Sequence, residues 1–486
     1  MNPSLMAAFA AASPRITPRH TPLLSLLIYV AVLALWALLF ARAFWIDNIW
    51  AWSAGIVYIL YILYDTVLAA YVVWQTLPSR TSPPPVFQPS AVRPSLGIVI
   101  AAHNEALNLP LALAALRRQS DAPELILIAD DGSSDGTAQL LRKDYGLSAT
   151  ANAAIGGAGR VMPALRWLRL PHQGKARTLN AALPLVDTEI VVTLDADTFL
   201  ADDAVAEMRN AFAADKTLVA AGGILIPVCD AGVVGRIMQW FQTYEYIRNI
   251  VSRFAWMRIN SLLLISGAFA GFRRDALMAV GGFDADCLVE DYELTHRMHR
   301  YAIDRGLDWK LQMVGSALAT TEAPSDVPTF MRQRRRWFAG FLQTQYWNRD
   351  LTGNARYGAL GTRMLPIKAL DTLQPIYGLT AFALLVALVV TGKFDIALPV
   401  LGFITAKICA DFMVYMWTIY IYQRVTGGRT QANVGAAVLA AILEPFSFQL
   451  LRHAGAAWGW IAFLRGNSEW GFRRDRAPRP APTVGE

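Results

Sequence analysis

Cysteine is scarce in this 486-residue chain: Cys229, Cys287 and Cys409 are its three. Thiols so few and so far apart build neither a disulfide framework nor a metal knuckle, and they read as ordinary buried side chains. Charge is scarce too. Charged residues make up 17% of the chain, against about 25% in soluble globular proteins, while 55% is hydrophobic. Missing as well is a concentrated basic stripe. The net charge of +7 is scattered, and only the C-terminal tail approaches such a stripe, so no nucleic-acid partner is expected. No Gly-rich phosphate loop follows the first strand-like run, where His103-Asn104-Glu105 stands instead. That argues against a sugar-nucleotide pyrophosphorylase.

What the chain has is long apolar runs at both ends. Residues 1–21 read as a polar, basic and poorly ordered tail. Residues 22–77 hold two runs, 22–44 and 50–74, each long enough to cross a bilayer. The first exceeds the usual 7–15 residues of a signal-peptide core and is followed at once by the second, so an uncleaved anchor is expected. Trp45, Trp50, Trp52 and Trp74 stand at run ends, as interfacial aromatics do. Residues 78–94 form a Pro/Ser-rich linker. Apolar character returns in 349–466, with spans expected at 372–391 and 394–422 and a long run, 434–464, broken by Glu444-Pro445. Lys407 and Asp411 are four apart and can pair on one helix face. The tail 467–486 is basic. With the intervening domain inside, Arg424 and Arg429 also lie inside, as the positive-inside rule asks. The run 434–464 is then expected to fold back or lie partly in the interface, which keeps the basic tail inside too.

Residues 95–348 have the hydropathy of a soluble domain. Apolar runs at 97–102, 125–129, 165–170 and 190–194 read as strands, and 109–118, 136–145, 175–183 and 292–301 as helices, with a Gly/Ala-rich surface loop at 146–162. Alternation of this kind implies an α/β domain with a mostly parallel sheet, whose ligands sit beyond the C-terminal strand ends. Two pairs of acids lie at such ends: Asp130-Asp131, and Asp195 with Asp197. On extended backbone, Asp195 and Asp197 point to one side and make a hard-oxygen site suited to Mg²⁺ or Mn²⁺ with bound phosphates. Asp130 or Asp131 can accept from a ribose or a uracil imide. Lys175 opens a helix, a place that suits a phosphate. Glu290-Asp291 opens another, as a candidate general base. Gln333-Arg334-Arg335-Arg336-Trp337 offers a guanidinium fork for a diphosphate and a flat ring for a sugar. Taken singly, each of these is also a turn, a helix cap or a basic juxtamembrane segment on anionic lipid, and Arg334 and Arg335 are assigned to lipid.

Taken in order, Asp131, Asp195 with Asp197, Glu290-Asp291, and Gln333 with Arg336-Trp337 resemble the motif series of processive family-2 glycosyltransferases. These include the cellulose, hyaluronan, chitin-oligosaccharide and poly-N-acetylglucosamine synthases. The segment from Ser266-Gly267 to Arg273 resembles their acceptor-side loop, and the likeness covers roughly residues 95–348 with the flanking spans. Val289 departs from it, since many members have Thr before the Glu-Asp pair. The resemblance implies a GT-A-type domain (Rossmann-like, α/β) facing the cytosol, embedded in an α-helical multi-pass protein of the inner membrane. It assigns Asp130, Asp131, Lys175, Asp195, Gln333 and Arg336 to a UDP-sugar donor, and Asp197 with Asp195 to Mg²⁺ or Mn²⁺. It assigns Trp337, Ser266 and Gly267 to the growing polysaccharide acceptor, and Asp291, with Glu290, to catalysis. The implied reaction is inverting transfer from UDP-N-acetylglucosamine or UDP-glucose into a β-linked polymer coupled to export, with membrane lipid and accessory export subunits as partners. Transfer of one sugar to a lipid carrier is the alternative within enzymes. A catalytically silent scaffold or exporter subunit is the alternative outside them.

Overall fold

A computed structural model describes residues 3–42, 52–81, 93–148, 157–430 and 433–466. Trp45 and Trp50, most of the linker and the basic tail lie outside the described residues. Eight strands form one sheet: β1 (Leu96–Ala102), β2 (Leu125–Asp131), β3 (Leu165–Leu170), β4 (Ile190–Asp195), β5 (Thr198–Leu200), β6 (Leu218–Val228), β7 (Phe269–Arg273) and β8 (Lys310–Glu322). Their order is β3-β2-β1-β4-β7-β6-β8-β5. The β3-β2-β1-β4 half is parallel, as the alternating pattern predicts. The other half is not: β7 runs antiparallel to β4 and β6, and β8 runs parallel to β6. The sheet is therefore mixed. Ile98, Ile100, Leu127, Ile128, Ile190 and Val191 are fully buried because both faces are covered, which is why these strands read as unbroken apolar runs.

In chain order the helices are α1 (Pro3–Ala12), α2 (Leu23–Ala41), α3 (Trp52–Thr76), α4 (Leu109–Arg117), α5 (Thr137–Lys143), α6 (Lys175–Ala182), α7 (Ala204–Ala214), α8 (Val233–Met257), α9 (Arg274–Ala279), α10 (Glu290–Arg305), α11 (Val327–Trp347), α12 (Leu365–Asp371), α13 (Gln374–Val390), α14 (Phe394–Val425), α15 (Val434–Leu443) and α16 (Phe448–Leu464). Among the described residues three helical segments are long and apolar enough to cross a membrane: Leu23–Ala41, Ile59–Arg80 and Phe394–Val425. Two further pairs are bent, α12 to α13 by 42° and α15 to α16 by 49°. The second bend falls at Ser447, just after Glu444, whose buried carboxylate accepts from Arg248 at 2.5 Å, Arg452 at 3.0 Å and the Tyr415 hydroxyl. Lys407 pairs with Asp411, as expected, and also with Asp65 at 2.7 Å, so it ties α14 to α3. The turn after α14 meets the sheet domain, where Arg429 pairs with Asp203 at 2.6 Å.

The N-terminal segment departs from expectation. Its Ala-rich stretch forms α1, with Leu5 and Phe9 buried. Arg15 donates to both Asp284 oxygens at 2.9 Å, Arg19 pairs with Asp304 at 2.7 Å, and Phe9 lies 4.7 Å from the Arg297 guanidinium. The partners of this segment lie far along the chain, so composition alone reads it as a free tail. Because the Asp284 side chain is fully buried, Arg15→Ala leaves a carboxylate short of its main donors, a loss of about 1–3 kcal/mol. A lowered melting temperature of the detergent-solubilised chain is the expected readout. An unchanged one would show that the segment is docked at no energetic consequence.

Candidate active site

The parallel half of the sheet brings the acids together. In the β1–β2 register Ala102 faces Asp130, and in the β1–β4 register Ala101 faces Asp195. Both strand ends therefore open on one edge, flanking His103-Asn104-Glu105.

Asp130 is buried and serves the turn that follows it. One oxygen accepts from the Ser133 amide at 2.9 Å; the other has no hydrogen-bond partner, and the Arg169 Nε stands 3.8 Å away. Asp131 accepts from the Gln173 and Gly174 amides at 2.8 and 3.0 Å, from Thr178 Oγ1 at 2.8 Å, and lies 2.9 Å from His172 Nδ1. All its lone pairs are thus engaged by residues 172–178, and its structural effect is to fix the start of α6. Gly132 lets the chain turn there: its φ is +66°, and a Cβ would fall 2.6 Å from the His172 amide nitrogen. The sequence-level assignment of these two acids to a nucleotide thus meets carboxylates already turned toward the chain.

Fixing α6 places Lys175 in the cleft. Its Nζ lies 2.5 Å from Asp195 Oδ1 and 3.7 Å from Glu290 Oε1. Burial opposes its charge, but the carboxylates of Asp195 and Glu290 outweigh burial and raise its pKa, so it stays protonated at neutral pH. Glu290 is buried, and that burial raises its pKa; Lys175 and Arg336 act in the opposite sense. Asp291, at the first turn of α10, accepts from the Gly267 amide at 2.8 Å and from the Tyr292 amide at 2.8 Å. The loop before β7 joins the two acids: the Asp195 amide donates to the Ala268 carbonyl at 3.2 Å, and the Ser266 carbonyl closes the turn onto Phe269. Lys175, Asp195, Ser266, Gly267, Glu290 and Asp291 therefore share one cleft.

Asp195 and Asp197 are arranged differently from expectation. Asp195 ends β4, Ala196 and Asp197 make a turn, and Thr198 starts β5, so the two acids do not lie on one extended strand. Both side chains remain half-exposed. Two half-exposed carboxylates at a strand end are a donor set that fits Mg²⁺ or Mn²⁺. A second cluster, His103, Asp131 and His172, brings ligand atoms within 4.8 Å of one another. Its imidazoles stack at 4.2 Å with planes 29° apart, so their lone pairs run side by side rather than converge. It is the poorer cradle for a cation.

Helix α11 forms the far wall. Asp326 caps it, accepting from the Thr329 amide at 2.8 Å. Arg336 donates to the Leu288 carbonyl at 3.1 Å, just before Glu290. Gln333 Oε1 is buried with no hydrogen-bond partner among the described residues. Trp337 is half-buried against the cluster of Trp256, Leu263, Val289 and Tyr292. Arg334 and Arg335 do not face lipid freely. Arg334 is buried on Glu245, and Arg335 lies over the Trp458 ring at 4.9 Å. Their partners lie on α8 and α16, which a juxtamembrane reading does not consider.

Arg253 of α8 is a site residue that sequence reading missed. It is half-buried, makes no hydrogen bond or ion pair among the described residues, and carries its charge near Asp291 and Tyr246. A signal was present, since Met238, Phe241, Ile247, Val251 and Phe254 recur at helical spacing.

A family model described as glycosyl transferase family 2 matches residues 97–281, and one described as glycosyl transferase family group 2 matches residues 190–403. Residues 97–403 thus carry matches to glycosyltransferase family 2 models. It is similar to the poly-beta-1,6-N-acetyl-D-glucosamine synthases of Staphylococcus epidermidis, at 26% identity over 52% of this chain and 57% of the relative. The enzyme of Staphylococcus aureus strain COL is 26% identical over 50% of this chain and 53% of the relative. The matched stretch thus spans little more than half of these relatives. A solved mannosyltransferase from Pyrobaculum calidifontis, in complex with GDP-mannose and Mn²⁺, shares the GT-A-like fold with a TM-score of 0.53. It is 20% identical and is covered over 99% of its length by 81% of this chain.

Proposed function

We propose that this chain extends a β-linked polysaccharide at a membrane face, using a UDP-sugar with inversion, and that UDP-N-acetylglucosamine is its donor. The observation that carries the reading is the convergence of Lys175, Asp195, Glu290 and Asp291 on one cleft walled by Arg336 and Trp337. The names of the relatives support N-acetylglucosamine over glucose.

In the reaction the acceptor hydroxyl attacks the anomeric carbon, its proton passes to Asp291, and the bond to the diphosphate breaks with its electron pair leaving on UDP. Asp291 is aimed by the Gly267 amide, which leaves lone pairs for the proton. Lys175 and Arg336 supply fixed positive charge where negative charge develops, a term worth several kcal/mol when preorganised. Asp195 and Asp197 would hold a divalent cation, which supplies further charge neutralisation at the diphosphate. Ser266 and Gly267 shape the acceptor side, and Gln333, on α11 beside Arg336, serves the donor. The catalytic domain lies in the cytosol, where nucleotide sugars are made, and the product leaves through the helical bundle. Two features support this topology: residues 3–19 and the turn at Arg429 both touch the domain, as two in–out–in helix pairs require.

UDP release by the solubilised chain, measured over a panel of UDP-sugars, tests the reading. Release with no sugar of the panel would refute it. Oligosaccharide and polyprenyl-phosphate acceptors, compared side by side, separate polymer extension from transfer to a lipid carrier. Trp337→Ala is expected to shorten or abolish polymer while leaving part of the donor hydrolysis, because the loss of a stacking face weakens acceptor binding more than donor binding. Full-length polymer from that variant would show that the ring does not hold the growing chain.

A further inference from the structure

One face of the Trp337 ring is already occupied. The Arg334 guanidinium lies over it at 4.5 Å from the centroid and also over Phe330 at 4.5 Å. Arg334 is itself buried, and its Nη2 is held by Glu245 Oε2 at 2.6 Å. The second oxygen of Glu245 takes Arg452 Nε at 3.2 Å, and Arg452 continues to Glu444 at 3.0 Å. Glu245 is buried between the two arginines. Space for this arrangement comes from α16, which runs against α11 at Gly455: a Cβ there would fall 2.6 Å from the Arg334 Cβ.

A cation on one ring face does two things. It fixes the ring plane, since the guanidinium is planar and stacks, and it leaves only the opposite face for a sugar. A buried carboxylate bound by two arginines removes the freedom of the long Arg334 side chain. Neither residue touches the acids of the cleft, so their effect passes through Trp337.

We infer that Glu245 and Arg334 are positioning residues for the acceptor: they hold Trp337 with one face covered, so that the terminal sugar of the chain stacks on the other face beside Asp291. This inference rests on the reading of Trp337 as the acceptor platform. It adds that the platform is set by a helix, α8, outside the recognisable motifs.

The test uses the full chain in detergent with UDP-N-acetylglucosamine and an oligosaccharide acceptor. Arg334→Lys keeps a charge for Glu245 but loses the flat stack, and Glu245→Gln keeps the shape but loses the charge that holds Arg334. Each is expected to raise the acceptor KM, or to shorten the product, by about tenfold, the scale of one desolvated cation–π contact. Donor KM should change less than about twofold, and the melting temperature of Arg334→Lys should stay near wild type. Wild-type acceptor KM and product length in Arg334→Lys would overturn the inference. So would donor and acceptor KM rising together with a lowered melting temperature in both variants, the mark of a purely structural pair. A wild-type chain that transfers no sugar is a separate outcome, seen before any variant is made, and it would overturn the acceptor reading along with this inference.

Discussion

Asp291→Asn is expected to lower the chemical rate by at least about 10²-fold while UDP affinity stays nearly intact. The asparagine keeps the size and can still accept from the Gly267 amide, now 2.8 Å from a carboxylate oxygen. What it loses is the ability to take a proton. Binding of UDP is followed by calorimetry, and the rate by UDP release with acceptor present. A collapse of UDP affinity with an unchanged single-turnover rate would make Asp291 a binding residue. Glu290 is no substitute base. It is buried, with Lys175 Nζ 3.7 Å away.

Asp197→Ala is expected to abolish turnover, and excess chelator to do the same to the wild type. Asp195 already pairs with Lys175 at 2.5 Å, so a divalent cation would draw on Asp197 as well. Replacing it leaves one shared carboxylate, too little for a hard cation that wants several oxygen ligands. Restored activity on adding Mg²⁺ or Mn²⁺ back to chelated enzyme completes the result. Full activity in excess chelator would remove the metal from the mechanism.

The residues that were legible from sequence are those whose signal is local. The strands β1, β2 and β4 read correctly because burial on both faces leaves apolar runs, and the acids that close them stand out against those runs. What escaped is relational. Strand β8, with Gly315 and Ser316 inside it, shows no clean alternation, and its pairing with β6 carries two register shifts. Helix α8 has a periodic apolar face, but its value lies in Glu245, whose partners Arg334 and Arg452 stand on α11 and α16. The pairing of Lys175 with Asp195 and Glu290 depends on the antiparallel half of the sheet, which brings the Ser266–Ala268 loop and α10 back to the parallel half. Asp195 and Asp197 do not share one extended strand, and the spacing alone hides this because a turn between two strands has the same spacing as a continuous strand.

The docking of the first twenty residues has a consequence for biogenesis. Arg15 binds Asp284, 269 residues further along the chain, and at about 5–20 residues per second that acid is synthesised roughly 15–50 s later. During that interval α1 has no site, and in the topology proposed above its segment waits on the ribosome's side while α2 inserts. The contact therefore forms late, after the sheet domain has folded, and it reports completion of that domain. A bulky tag fused ahead of α1 would act at this closing step, and its effect would be read in assembly yield rather than in the kinetics of the finished enzyme.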